Sequence, residues 1–154
     1  MEVSIEMIQD LELISLVQKI EGEEELLKEI HQRLERENFV DPDRKFLYFD
    51  TEQIQKMMEP IFEKLKLDVK IIQAWVHVLE PGAAHTTHNH EHDTGVYYLQ
   101  ALKNCGNLYF DDLDIEIPIE EDLFIVVPAR EKHSITKNNT RHQRIALVVD
   151  MEEK

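Results

Sequence analysis

The sequence contains a single cysteine, Cys105, among its 154 residues. This scarcity excludes a disulfide framework and a thiolate metal cluster, and it is typical of proteins in a reducing compartment. Long apolar runs are also missing, because the N-terminal stretch MEVSIEMIQDLELISLVQKI is interrupted by acidic residues before it reaches the length of a signal peptide or a membrane-spanning helix. We therefore expect a soluble cytoplasmic protein in which Cys105 is a small core residue.

Basic residues are scarce as well. The chain has 17 lysines and arginines against 32 aspartates and glutamates, which gives a formal net charge of −15. This balance argues against nucleic acid or an anionic membrane as a partner bound by bulk electrostatics. A local basic pocket remains compatible with the composition.

Glycine is nearly absent before residue 68, and the apolar residues of this region recur at helical spacing. The pattern predicts a helical N-terminal layer over residues 1–68. We expect Thr51 to be the N-cap of its third helix and Pro60 to kink or divide that helix. The three predicted helical segments lie around Ile8 to Leu16, Leu26 to Leu34 and Ile54 to Leu65.

After residue 68 the pattern changes to short β-like runs separated by turn-forming residues. Short strands at this spacing favour a closed sandwich or barrel over βαβ units. We predict one mainly β domain over residues 1–154, with a jelly-roll core at 69–151 and the N-terminal helices packed on one sheet. Exposed sheet edges would allow a homodimer. The eight predicted strands are VKIIQAWVHVLE, AAHTTHNH, GVYYLQAL, NLYFDD, LDIEIPI, DLFIVVPA, KHSITK and QRIALVVDM.

Half of the eight histidines lie in the stretch HTTHNHEH at 85–92. Residues two apart on a strand point to the same face, so His88 and His90 should present two imidazoles together. His133, at the start of a later strand, is the best candidate for a third metal ligand. Three protein ligands leave coordination positions open, which is typical of a catalytic site rather than a structural one. Imidazole suits iron, zinc, copper and nickel, so these residues do not select the metal.

The other histidines carry separate expectations. His92 shares the parity of the pair but follows in a loop, where it would lie behind the ligands or face the substrate. His85 has the opposite parity, and His77 would either line the cavity or pack in the core. His31 and His142 are expected on the surface. A histidine-rich loop that binds no metal is the alternative for the cluster as a whole.

A series of motifs between residues 70 and 151 resembles the double-stranded β-helix superfamily, most strongly its iron(II)- and 2-oxoglutarate-dependent oxygenases. The resemblance implies a double-stranded β-helix, or jelly roll, that binds Fe(II) and 2-oxoglutarate. The motifs are, in order, Trp75, Gly82, His88-Asn89-His90, TGVYYLQ, GNLYFDD, EDLFIVVPAREKH and RIALVVDM.

The same resemblance implies roles for individual residues. His133 would be the distal iron ligand, and Arg144 on the last strand would bind the far carboxylate of 2-oxoglutarate. Tyr98, the second tyrosine of GVYYL, would donate a hydrogen bond to that carboxylate. A buried, unpaired guanidinium costs on the order of several kcal/mol, so Arg144 requires an anionic partner. An acidic residue of the chain itself is the alternative partner to a bound carboxylate.

Two features depart from the oxygenase pattern. The usual H-x-D or H-x-E carboxylate is missing, so either His90 replaces it or Asp93 reaches the metal from the loop. Ala146 stands where the family carries a small hydroxyl residue. A competing resemblance is to the cupins, because the segment from Gly82 to His90 fits the opening of their first motif and VPAREKHSITKN approximates the second.

Three functions follow from these patterns. The first is an iron(II)- and 2-oxoglutarate-dependent oxygenase that hydroxylates an unknown prime substrate. The second is a cupin-type three-histidine enzyme, a dioxygenase or isomerase, that works without 2-oxoglutarate. The third is a jelly-roll module that binds a metal without catalysis.

Overall fold

The computed structural model describes residues 16–19, 28, 32 and 46–154. Within these residues, one helix has defined ends: α1, which spans Thr51–Leu65. The strands of the described part are β1 Leu16–Lys19, β2 Phe46–Phe49, β3 Val69–Leu79, β4 His85–His88, β5 Asp93–Gln100, β6 Leu108–Phe110, β7 Ile115–Ile117, β8 Leu123–Val127, β9 His133–Ile135 and β10 Arg144–Glu153.

The strands form two antiparallel sheets. One has six strands in the order β1-β8-β5-β10-β3-β2, and the other has four in the order β4-β9-β6-β7. The jelly-roll prediction is confirmed, and each of the eight β-like runs predicted after residue 68 contains a strand. No helix in the described ranges is long and apolar enough to cross a membrane.

Two apolar layers cover the two faces of the six-stranded sheet. On one face, Ile54, Ile61 and Phe62 of α1 are buried against β3, β5 and β10, each contributing roughly 1.5–3 kcal/mol of transfer free energy. On the other face, a second cluster fills the space between the sheets. Because side chains alternate along β5, Tyr97 belongs to the first layer and Tyr98 to the second.

The prediction of a wholly helical N-terminal layer is wrong at two segments. Residues 16–19 form β1, which pairs with β8, and residues 46–49 form β2, which pairs with β3. Backbone pairing at the two margins of the six-stranded sheet outweighs the local helical spacing there. Residues 28 and 32 are helical as expected, and the predicted helix around Ile8 lies outside the described residues.

Helix α1 begins one residue earlier than predicted and is not divided. Its N-cap is Asp50 rather than Thr51, because the Asp50 carboxylate accepts hydrogen bonds from the backbone N–H groups of Glu52 at 3.0 Å and Gln53 at 3.1 Å. Pro60 lies inside the helix without ending it. The buried face on both sides of Pro60 holds the helix together despite the missing hydrogen bond.

Candidate metal centre

Strand pairing brings the first two imidazoles together. His88 ends β4 and lies directly opposite His133, which begins β9, and their ring centroids are 4.3 Å apart. His90 follows β4, with its ring 5.2 Å from that of His88 and 5.4 Å from that of His133. One nitrogen from each ring lies within 4.8 Å of the other two. The structure thus brings the three predicted ligands to one point.

Backbone carbonyls fix the tautomers of two of these rings. His88 Nδ1 is 2.9 Å from the Thr86 carbonyl oxygen, and His133 Nδ1 is 2.8 Å from that of Glu131. A carbonyl oxygen only accepts, so each Nδ1 must carry the proton and donate it. The lone pair is therefore on Nε2 in both rings, which is the arrangement that a metal ligand requires.

Burial keeps these rings uncharged at neutral pH. Burial and, to a smaller extent, the neighbouring imidazoles lower the pKa of His133 from 6.5 to about 4, against the opposing effect of the Glu131 carbonyl. Burial also lowers the pKa of His88. Neutral imidazoles are the form that binds a divalent cation.

The third ring has a different environment. His90 Nδ1 lies 3.3 Å from the carboxylate oxygen Oδ1 of Asp150. The indole of Trp75 stacks on the His90 ring, with ring centroids 5.8 Å apart and planes inclined by 20°.

The structure does not bring Asp93 into the cluster. The Asp93 side chain instead accepts a hydrogen bond of 2.8 Å from the backbone N–H of Ala129, and the histidine group contains no carboxylate among the described residues. Asp150 is the acidic residue that sequence reasoning missed. Its parity was the available signal, since Asp150 lies six residues after Arg144 on β10 and therefore on the same face.

The three rings of the cluster line a cavity, and two further histidines line it as well. His77 does so from β3, and His85 does so from β4 although its parity predicted the opposite face. The β4–β9 register shifts between His85 and His88, and this irregularity breaks the alternation. His92 does not line the cavity, and His142 is exposed as expected. His31 lies outside the described residues.

The cavity has a volume of about 310 Å³ and contains a buried cation on its wall. Arg144 is 2% exposed, and its guanidinium carbon lies 4.8 Å from the centroid of the Tyr98 ring. Arg144 Nε and Nη1 and the Tyr98 hydroxyl have no hydrogen-bond partner in the part of the chain that the structure describes. No carboxylate within those ranges forms an ion pair with Arg144.

Tyr98 remains a hydrogen-bond donor in this setting. It is fully buried, and burial raises the pKa of its phenol, although the positive charge of Arg144 opposes the rise. The paired strands β5 and β10 place Tyr98 directly opposite Ala146, two residues from Arg144. A phenol and a guanidinium with unsatisfied N–H and O–H groups are complementary to a carboxylate.

Comparisons with known proteins identify the fold. No family model matches the sequence, and no curated protein matches it. A prolyl-4-hydroxylase from Pseudomonas putida superposes with a TM-score of 0.65 at 15% identity, over 97% of this chain and 98% of the other. The viral collagen prolyl hydroxylase of Paramecium Bursaria Chlorella virus-1 gives 0.66 at 13% identity, over 90% of each chain, and has also been solved as a 2-oxoglutarate complex.

A 2-oxoglutarate- and iron(II)-dependent oxygenase family member from Burkholderia pseudomallei gives a TM-score of 0.59 at 10% identity, over 88% of this chain and 92% of the other. At such identities the shared property is the fold. The chain shares the jelly-roll fold of these three solved proteins.

Proposed function

We propose that this protein is an iron(II)- and 2-oxoglutarate-dependent oxygenase. The observation that carries the proposal is one cavity in which three convergent imidazoles and a buried guanidinium without an acidic partner in the described ranges face the same space. The 2-oxoglutarate complex of the viral prolyl hydroxylase, which has the same fold, supports it.

His88, His90 and His133 would hold the iron. Once bound, iron(II) would supply the oxygen activation that couples decarboxylation of 2-oxoglutarate to hydroxylation of a second substrate. The carbonyls of Thr86 and Glu131 already orient two of the rings with Nε2 as the ligand atom. Two of the three ligands therefore already present the tautomer that a metal requires.

Arg144 and Tyr98 would bind the far carboxylate of 2-oxoglutarate. The guanidinium can donate two parallel N–H groups to a carboxylate, and the Tyr98 hydroxyl can donate a third hydrogen bond. Such an anion would satisfy the three polar atoms that have no partner within the described residues. It would also offset the desolvation of Arg144.

A three-histidine enzyme that needs no 2-oxoglutarate is the second candidate. The neutral ligand set favours it, since no carboxylate belongs to the cluster in the described part of the chain. This candidate leaves unexplained why Arg144 is buried without an acidic partner among the described residues. Turnover of a substrate in the absence of 2-oxoglutarate would select it.

Isothermal titration of 2-oxoglutarate into the anaerobic Mn(II)-loaded protein tests the proposal. We expect binding, and we expect Arg144→Met to weaken it by at least about 30-fold, the loss typical when one partner of a buried charge pair is removed. Because Met removes a buried charge at similar volume, this variant should unfold at or above the wild-type temperature.

Arg141→Met is the matched control, since Arg141 is exposed and does not line the cavity. It should bind 2-oxoglutarate with wild-type affinity. The proposal is overturned if the wild-type protein binds no 2-oxoglutarate, or if Arg144→Met binds it as tightly as the wild type.

A further inference from the structure

We infer that Asp150 is a positioning residue of the metal centre: it orients His90 as a ligand and supplies the negative charge that the three neutral imidazoles lack. The inference rests on the proposed metal site and concerns the residue behind it. It also gives a role to the Asp150 carboxylate, which lies beside the histidine ligands but is not one of them.

The position of Asp150 is fixed by the neighbouring strand. Asp150 on β10 lies directly opposite Thr94 on β5, and its Oδ1 accepts a hydrogen bond of 2.9 Å from the Thr94 hydroxyl. Both residues are buried, with Thr94 only 1% exposed. The carboxylate is therefore held in place before any metal binds.

The same oxygen faces the metal-binding ring. Asp150 Oδ1 lies 3.3 Å from His90 Nδ1, slightly beyond the usual 2.7–3.2 Å of an N–H···O hydrogen bond. Contacts of this kind are often long in unliganded sites and tighten when the site is filled. A carboxylate at Nδ1 leaves Nε2 as the ligand atom, the same tautomer that backbone carbonyls impose on His88 and His133.

The three rings differ in the charge of the group that faces their Nδ1 atom. His88 and His133 are oriented by neutral carbonyls, whereas His90 faces an anion. A carboxylate behind a ligating imidazole strengthens its donor nitrogen and partly neutralises the cation. No lysine or arginine of the described residues forms an ion pair with Asp150. A divalent cation bound to His90 is therefore the natural counter-charge for this buried carboxylate.

Competition titration of Co(II) against a chromophoric chelator, under anaerobic conditions, tests the inference without relying on turnover. We expect Asp150→Asn to weaken Co(II) binding by about 10- to 100-fold, the loss typical when the partner of a ligating histidine is removed. The visible absorption bands of the bound Co(II) should shift in the same variant, because the ligand field of His90 changes.

Asp122→Asn is the matched control for net charge. Asp122 interacts with the Tyr97 hydroxyl at 3.3 Å, does not line the cavity, and has a positive φ that asparagine adopts readily. It should bind Co(II) within about twofold of the wild type, because its carboxylate does not line the cavity. An equal loss in both variants, or wild-type affinity in Asp150→Asn, overturns the inference.

A measurement on the unmodified protein covers the case in which Asp150→Asn does not fold. Long-range ¹H–¹⁵N correlation spectra of the metal-free wild-type protein report which nitrogen of His90 carries the proton. The inference requires the Nδ1–H tautomer, and the Nε2–H tautomer overturns it. Failure of the wild-type protein to bind Co(II) would instead defeat the proposed metal site itself.

Discussion

At the scale of single residues, His133 links the site to the stability of the protein. The ring is 6% exposed, and in the folded protein it takes up a proton only near pH 4, whereas an unfolded histidine does so near 6.5. Between these values the unfolded chain binds more protons, so stability rises with pH. The contribution of His133 is complete above about pH 6.5 and disappears as the pH falls through about 4.

We therefore predict that acidification from pH 7 to 4 destabilises the metal-free protein less in His133→Gln than in the wild type. The difference between the two curves should approach about 3 kcal/mol, the free energy of a shift of this size. Urea unfolding across this pH range measures it, with the exposed His142→Gln as control. Parallel curves for wild type and His133→Gln would contradict the prediction.

Individual site residues were predictable where local spacing placed them. Alternation put His88 and His90 on one face, and the structure joins them to His133. Asp150 shares the parity of Arg144 on the last strand, but its position beside His90 depends on the pairing of distant strands, which spacing along the chain does not contain. His85 was misplaced because the strand is irregular between it and His88.

At the scale of secondary-structure elements, two glycines with the same backbone preference differ in their surroundings. Gly82 has a φ of +82°, and a side chain there would meet nothing within 4 Å. Gly106 has a φ of +104°, and a Cβ would lie 2.6 Å from the backbone oxygen of Thr136. Gly106 thus permits a close approach between the chain entering β6 and the chain leaving β9.

We predict that Gly106→Ala is clearly more destabilising than Gly82→Ala. Both carry the backbone cost of about 1–2 kcal/mol for a side chain at positive φ, and overpacking should add about 1–3 kcal/mol at Gly106 alone. Chemical unfolding of the two variants measures the difference. Equal losses in the two variants would contradict the prediction, because they would show that the Thr136 backbone moves away from the new side chain at little cost.

The elements differed in how far the sequence could predict them. The eight strands after residue 68 were predictable because short apolar runs and turn residues mark each one. Strands β1 and β2 were not, because each is defined by a partner distant in the sequence, β8 and β3 respectively. Local spacing contains no information about such partners.

At the scale of the whole molecule, the proposed metal and 2-oxoglutarate would bridge the two sheets. His88 and His133 belong to the four-stranded sheet, whereas Arg144 and Tyr98 belong to the six-stranded one. A metal with 2-oxoglutarate would contact both, so opening of the roll would require release of the ligands. Stability should therefore depend on both ligands together.

We predict that Mn(II) raises the midpoint of thermal unfolding and that 2-oxoglutarate raises it further only in the presence of the metal. At about 100 times the dissociation constant, each ligand should add about 2.7 kcal/mol, which corresponds to roughly 5–10 °C for a domain of this size. Differential scanning calorimetry measures the shift, and a chelator should reverse it. An unchanged midpoint at saturating metal would contradict the prediction.

The stacking of Trp75 on His90 gives the protein an internal optical reporter. Trp75 is the only tryptophan in the chain, and its ring centroid is 5.8 Å from that of His90. A paramagnetic ion held by His90 would therefore lie close to the only indole of the protein and would quench its fluorescence. Occupancy of the centre could then be followed by fluorescence in the native sequence, without attaching a dye.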